Sequence, residues 1–286
     1  MEKTDKDKNQ VNKTLFFQYY TDLCIRSFGK ERINWNNYGS CLKLLKEYEK
    51  DYNITMDKIT RQWVIEFKEY LDKKTRLSIN TKYSYFNKLK RILEVAYNDR
   101  LINANPAAKV DNFKNIDKYN KKPITYLTLE EVKKLVITEC EIKSLKSAFL
   151  FSCLTGLYKR ELDMLKWSEI VKINNTVRIV FKHRVPFRCD CDLYITPQSL
   201  KLLGKRSRPN ELVFKIPHSY DKLMRVLYQW GQKAGIDKKI CFETARHTFI
   251  AMMIHLGTEL SVLSKLLGHR ELGTTLRYVR LINGKE

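Results

Sequence analysis

A chain of 286 residues with 43% hydrophobic and 12% aromatic residues can bury one large or two modest cores, which excludes a disordered tail. Its 54 Lys and Arg against 32 Asp and Glu leave a formal net charge of +22, spread along the whole chain, which predicts a polyanionic partner and nucleic acid first among them. No apolar run approaches the ~20 residues of a membrane span, so no membrane partner is expected.

Met1 to Lys13 is polar and charged, and reads as a flexible tail rather than a signal peptide or an anchor. Four helical patterns follow. Leu15 to Phe28 is apolar at helical spacing, and Trp35 to Tyr48 sets Tyr38, Cys41, Leu42, Leu45 and Tyr48 on one face. Ile59 to Leu71 has Thr60 as a candidate N-cap, with Val64, Phe67 and Leu71 inward. Ser78 to Tyr97 is the strongest, with Ile79, Tyr83, Phe86, Leu89, Leu93 and Ala96 recurring at threes and fours. The other side of this pattern carries Lys82, Lys88, Lys90 and Arg91, a solvated face that also suits contact with a DNA backbone. Pro106 in Asn103-Ala104-Asn105-Pro106 closes the unit, because proline disfavours helix at the residue before it. Residues 14–104 thus read as one helical domain, and residues 105–122, polar and lysine-rich without periodicity, as a linker.

A second domain, 123–286, opens on the capping box Thr128-Leu129-Glu130-Glu131. Leu145 to Leu154 is a nearly continuous apolar run and predicts a buried helix, which Thr155-Gly156-Leu157 breaks. Helical spacing resumes over Lys159 to Trp167. Thr176 to Phe181 and Cys191 to Ile195 predict two strands around the basic turn Lys182-His183-Arg184. Pro197 starts a helix, and Tyr220 to Trp230, Thr244 to His255 and Glu259 to Leu267 are three more. The seven cysteines are odd in number and irregularly spaced, which predicts reduced thiols in a cytoplasm. Cys189-Asp190-Cys191-Asp192 lacks a second ligand pair at zinc spacing, so strand alternation explains it and no metal is expected.

Three segments near the C-terminus carry chemistry-bearing side chains. They are Glu243-Thr244-Ala245-Arg246-His247-Thr248-Phe249, Leu266-Leu267-Gly268-His269 and Thr274-Thr275-Leu276-Arg277-Tyr278, with Tyr278 nine residues beyond His269. Each alone has a packing explanation. Together, and in this order behind Thr155-Gly156-Leu157, they resemble the tyrosine recombinase (phage integrase) family. The resemblance covers most of the chain. Residues 14–104 are similar to the family's helical, SAM-like core-binding domain, including Asn80-Thr81-x-x-x-Tyr85 and the Asn105-Pro106 exit, and residues 123–286 to its catalytic domain.

This resemblance implies a mainly α fold with a small antiparallel β-sheet in the second domain. It implies a clamp on double-stranded DNA, self-association on that DNA, and a cytoplasmic, nucleoid-associated location. No arm-binding domain is expected before the first helix. Only eight residues follow Tyr278, so any C-terminal segment exchanged between neighbours would be short and the free protein is expected to be a monomer.

The family's chemistry explains the residue types. A tyrosine phenolate attacks phosphorus and forms a 3'-phosphotyrosyl link that conserves the bond energy. Arginine forks meet the charge that builds on the non-bridging oxygens. Histidines position the phosphate and manage protons, and a lysine on the hairpin protonates the leaving 5'-oxygen. Neither a metal nor a nucleotide cofactor is needed.

Carried over residue by residue, Tyr278 matches the nucleophile, Arg246 the second catalytic arginine and His269 the histidine of Leu-Gly-His. His247 follows the arginine as a supporting residue. Three positions depart: Tyr158 stands where the family places its first arginine, Glu243 where it places a histidine or sometimes a lysine, and the hairpin lysine has no clear match. Lys182 is the best candidate for it. Losing one transition-state donor costs about 2.7–4 kcal/mol, or roughly 100- to 1,000-fold in rate. Arg160 is a candidate substitute, but two residues along a helix it faces about 200° away. At i, i+3, Glu243 is placed to neutralise Arg246. Two functions stay open: a recombinase acting through Tyr278 with a rearranged site, and a non-cleaving DNA-binding relative. RNA binding is disfavoured, because the Tyr and Phe residues fall at core spacing.

Overall fold

The computed structural model describes residues 14–28, 34–114, 124–182 and 189–284. The chain folds as two compact units, 1–122 and 123–286, each with its own hydrophobic core.

The first unit is helical: α1 (Phe16–Phe28), α2 (Asn34–Tyr48), α3 (Arg61–Lys73) and α4 (Ile79–Asn98). Thr60 and Ser78 cap α3 and α4, each side-chain oxygen accepting from the backbone N–H three residues on at 3.2 Å. Those donors have no partner inside the first helical turn. Thr60→Ala is therefore expected to lower the stability of this unit by about 1 kcal/mol in urea unfolding, and an unchanged midpoint would show the cap to be dispensable. Phe16, Tyr20, Phe67 and Phe86 are fully buried, and Trp63 stacks on Phe67 with ring centroids 5.9 Å apart. The segment read as a linker contributes to this core. Ala107, Val110 and Phe113 are buried in it, three residues apart, and the Val110 carbonyl accepts from Lys90 Nζ at 2.7 Å. The apolar repeat was masked by Lys109, Asp111 and Asn112 between its members.

The second unit begins with α5 (Leu129–Ile137), whose capping box is complete: Thr128 accepts from Glu131 N, and the Glu131 carboxylate accepts from Thr128 N at 2.7 Å. α6 (Lys143–Thr155) is buried on nearly all sides and packs along α10 (Phe242–His255) to form the centre of the unit. α7 (Lys159–Asp163) stops short of the expected Trp167. The Leu165 carbonyl accepts from Val213 N and the Trp167 N–H donates to the Glu211 carbonyl, so backbone groups that would extend the helix bond to another segment. A three-stranded antiparallel sheet in the order β1 (Ile170–Ile173), β2 (Thr176–Phe181), β3 (Cys191–Tyr194) follows. The turn residues 183–188 lie outside the described residues. Then come α8 (Pro197–Leu200), α9 (Tyr220–Lys233), α10, α11 (Leu260–Leu266) and α12 (Leu272–Ile282), the last carrying Tyr278. The fold is mainly α with a small antiparallel sheet, as expected. β1 and α12 are additions to the expected elements.

Candidate functional site

Two helix ends prepare the site. α6 ends on Gly156 at φ +69°, and α11 on Gly268 at φ +65°. After α11, Gly268 N donates to the Lys265 carbonyl and His269 N to the Ser264 carbonyl, the paired bonds of a Schellman cap. The Leu-Gly-His motif is thus a helix stop that delivers His269. Gly156 is fixed twice over, because a Cβ there would meet Phe249 Cδ1 at 2.5 Å as well as adopt a left-handed backbone. Gly156→Ala is expected to destabilise the second unit by at least about 2 kcal/mol in thermal or urea unfolding, and a wild-type midpoint would refute the close approach.

Arg246 on α10 is only 1% exposed and is held by both helix ends. Its Nη1 donates to the Gly156 carbonyl, and its Nη2 to the Leu267 carbonyl at 3.2 Å. The same Nη2 lies 3.0 Å from His269 Nε2. An arginine nitrogen only donates, so Nε2 accepts, which puts the His269 proton on Nδ1, 2.8 Å from Thr275 Oγ1. Thr275, fully buried on α12, thereby ties the histidine to the helix of Tyr278. The His269 ring lies nearly parallel to the Tyr278 ring, with centroids 6.1 Å apart, and the His247 ring lies 5.6 Å from Tyr278. Burial raises the Tyr278 phenol above its ordinary value and the neighbouring Tyr158 adds to this, while Arg246 pulls the other way. The phenol is therefore protonated at neutral pH.

Tyr158, in the position where an arginine was expected, caps the start of α7 with its backbone N–H on Glu161 Oε2 at 2.8 Å. Its ring lies against the guanidinium, with Arg246 Cζ 3.9 Å from the ring centroid. Glu243 does not neutralise Arg246: it is exposed and stands 3.9 Å from His247 Nε2 instead. The reason is that Arg246 turns inward from α10, whereas Glu243 points to solvent. His247 Nδ1 lies 3.2 Å from the Thr125 carbonyl, and burial lowers its pKa, so the ring is neutral near pH 7 with the proton on Nδ1.

The remaining sequence-selected residues do not join this cluster. Lys182 is highly exposed, with Nζ 2.9 Å from Asp190 Oδ2. Arg160 is half-buried on α7. The four α4 cations are not one open basic face. Lys82 is buried, with Nζ donating to the Asp72 carbonyl at 2.5 Å and lying 3.2 Å from its carboxylate. Lys88 Nζ donates to Ser84 Oγ at 2.7 Å, and Lys90 is the donor to Val110 described above. Only Arg91 of the four is exposed, paired with Glu94 at 2.9 Å. The signal was present, since Lys82 precedes Phe86 by four residues and Leu89 by seven and so shares their face. Lys82→Met is expected to leave duplex DNA affinity within about twofold of wild type, and a fall of about one in the slope against log salt would return it to a phosphate. Cys189 N donates to the Gly268 carbonyl at 3.1 Å, which ties the approach to β3 to the His269 turn. Among the described residues no cluster of His, Cys, Asp or Glu could hold a metal, and no helix is long and apolar enough to cross a membrane.

A buried arginine, a histidine at a helix stop and a tyrosine on the last helix are thus gathered from three segments on a helical scaffold. Comparison with known proteins gives the family. The first unit matches the phage integrase SAM-like domain over residues 15–116, and the second the phage integrase family over residues 125–284. The chain belongs to the phage integrase family. It is 26% identical over 284 residues to the tyrosine recombinase XerD of Rickettsia bellii, covering 90% of this chain and 88% of that one. It is 24% identical over 277 residues to the ICEBs1 integrase of Bacillus subtilis, covering 84% and 72%. The fold is similar to that of the Tn1549 transposon integrase in complex with transposon right end DNA, with a TM-score of 0.69, 16% identity and coverage of 93% and 94%. It is equally similar to a lambda integrase dimer bound to a COC' core site, with a TM-score of 0.69, 17% identity and coverage of 94% and 95%.

Proposed function

We propose that this chain is a site-specific DNA recombinase that clamps double-stranded DNA and cuts and rejoins strands through a 3'-phosphotyrosyl link on Tyr278. The observation that carries the reading is the convergence of Arg246, His269 and Tyr278 from three separate segments, with Arg246 3.0 Å from His269 and His269 stacked on Tyr278. In this reading the Tyr278 oxygen attacks phosphorus, the bond from phosphorus to the 5'-oxygen breaks, and that oxygen takes a proton, for which Lys182 is the candidate donor. Neutral His247, whose ring lies 5.6 Å from that of Tyr278, is the candidate acceptor for the phenol proton in this reading. Arg246 is the cation for the transition state. The +22 net charge supports binding to a polyanion, and the relatives named for DNA recombination support duplex DNA as that polyanion. The chain acts where cellular DNA lies and self-associates on DNA.

A second reading, a DNA-binding relative that does not cleave, is favoured by one arrangement. The Tyr158 ring occupies one face of the Arg246 guanidinium, and Glu243 adds an exposed carboxylate on the same helix. Nicked suicide duplexes drawn from DNA flanking the gene separate the two. The first reading expects a protein–DNA adduct on a denaturing gel with wild type and none with Tyr278→Phe. Binding that falls steeply with salt, without an adduct from wild type, would replace it by the second.

A further inference from the structure

We infer that Tyr158 is the positioning residue of Arg246: its ring holds the guanidinium in the plane that aims its nitrogens at Gly156, Leu267 and His269. The bearing of this on cleavage rests on the recombinase reading above; the hold itself does not.

The contact is close and face-on in kind, with Cζ 3.9 Å from the ring centroid, inside the ~6 Å range over which a cation is attracted to an aromatic face. It is also desolvated, since Arg246 is 1% exposed, and desolvation strengthens such a contact. Tyr158 is itself fixed from the backbone side. The left-handed Gly156 two residues earlier turns the chain, and the Tyr158 N–H is bonded to Glu161 across the first turn of α7. The guanidinium is thus held at its edge by two carbonyls and His269, and on its face by one ring. Removing the ring leaves the edge bonds able to pivot about the Gly156 and Leu267 oxygens.

The exchange at position 158 is therefore more than a lost cation. The phenol leaves the cationic task to Arg246 and steadies it. This makes His269 dependent on Tyr158 as well, because its Nε2 accepts from the nitrogen that the ring orients. It also places the Tyr158 phenol close enough to Tyr278 to push that phenol's pKa upward.

The test uses the full chain with 15N-labelled arginine side chains, the Arg246 Nε–H signal being assigned by its loss in Arg246→Lys. Wild type, Tyr158→Phe, Tyr158→Met and Tyr158→Leu are compared, with thermal midpoints to exclude a variant that does not fold. The expected result is an Arg246 signal shifted upfield by the ring current in wild type and Tyr158→Phe, and at an ordinary position in the two ringless variants. On the suicide duplex, the ringless variants should lose about tenfold to 30-fold in single-turnover cleavage rate at unchanged duplex Kd, and Tyr158→Phe should restore the rate. An Arg246 signal that is the same with and without the ring would overturn the positioning role, whatever the adduct assay shows. A ring-shifted signal with no adduct from wild type would uphold the role and remove the recombinase reading instead. Equal cleavage by the ringless variants, with the shift lost, would overturn the link between the hold and the reaction.

Discussion

Arg246→Ala is expected to lower the stability of the second unit by about 3–5 kcal/mol, a large part of the total for a domain of this size. The side chain is among the largest fully buried ones in the chain. Its removal takes a donor from the carbonyls of Gly156 and Leu267, each at the end of a helix, and a buried acceptor that loses its donor costs about 1–3 kcal/mol. It also opens a void beneath the Tyr158 ring. The term that works the other way is relief of a buried charge, which is why the loss stays below the sum of the parts. Arg246→Lys keeps the charge but has one nitrogen for three partners, so it should fall between the two. Urea unfolding followed by circular dichroism measures this, and a loss below about 1 kcal/mol for Arg246→Ala would show that the helix ends hold together without it.

The second large effect is expected at His269. His269→Ala should reduce adduct formation by about 100-fold or more while leaving duplex affinity within about twofold, because the role proposed for the imidazole is on the reacting groups and not in DNA binding. The structural reason is its two-sided engagement, with Nε2 accepting from Arg246 and Nδ1 donating to Thr275 on the helix that carries Tyr278. His269→Asn preserves a short acceptor and should recover part of the orientation but no proton transfer. A loss below about tenfold in His269→Ala would make the residue a structural tie between α11 and α12.

The features legible in the sequence were those with a local cause. The Thr60 cap and the Thr128 capping box are fixed by residues three apart, and both stand where expected. The buried helix before Thr155-Gly156 was visible as an apolar run, and its helix stop as a glycine. β1 was missed although its turn is marked. Asn174 and Asn175 both take positive φ, 45° and 63°, in a two-residue loop that pairs Ile173 with Thr176, and Asn is a residue that tolerates such a turn. α12 was missed although Leu272, Leu276, Val279 and Ile282 recur at helical spacing: Gly273 and two threonines in its first turn disfavour a helix locally, and Thr275 is the one fully buried residue among them. The residue types around Arg246 were legible through a family resemblance, but their partners were not. Tyr158 and Arg246 are far apart in the chain, and the packing of α6 against α10 brings them together. Helical spacing allowed Glu243 to stand beside either Arg246 or His247, and the inward turn of Arg246 leaves it beside His247.

The central claim, that Arg246, His269 and Tyr278 form one strand-transfer site, is tested most directly by mapping the residue bonded to DNA. The adduct from a nicked suicide duplex is digested with protease and nuclease, and the modified peptide is sequenced by mass spectrometry. The account predicts a phosphotyrosyl bond to Tyr278, absent from the same peptide in Tyr278→Phe. Attachment at Tyr158, the other phenol beside the same guanidinium, or no modified tyrosine from a duplex that the protein binds and holds, would contradict it.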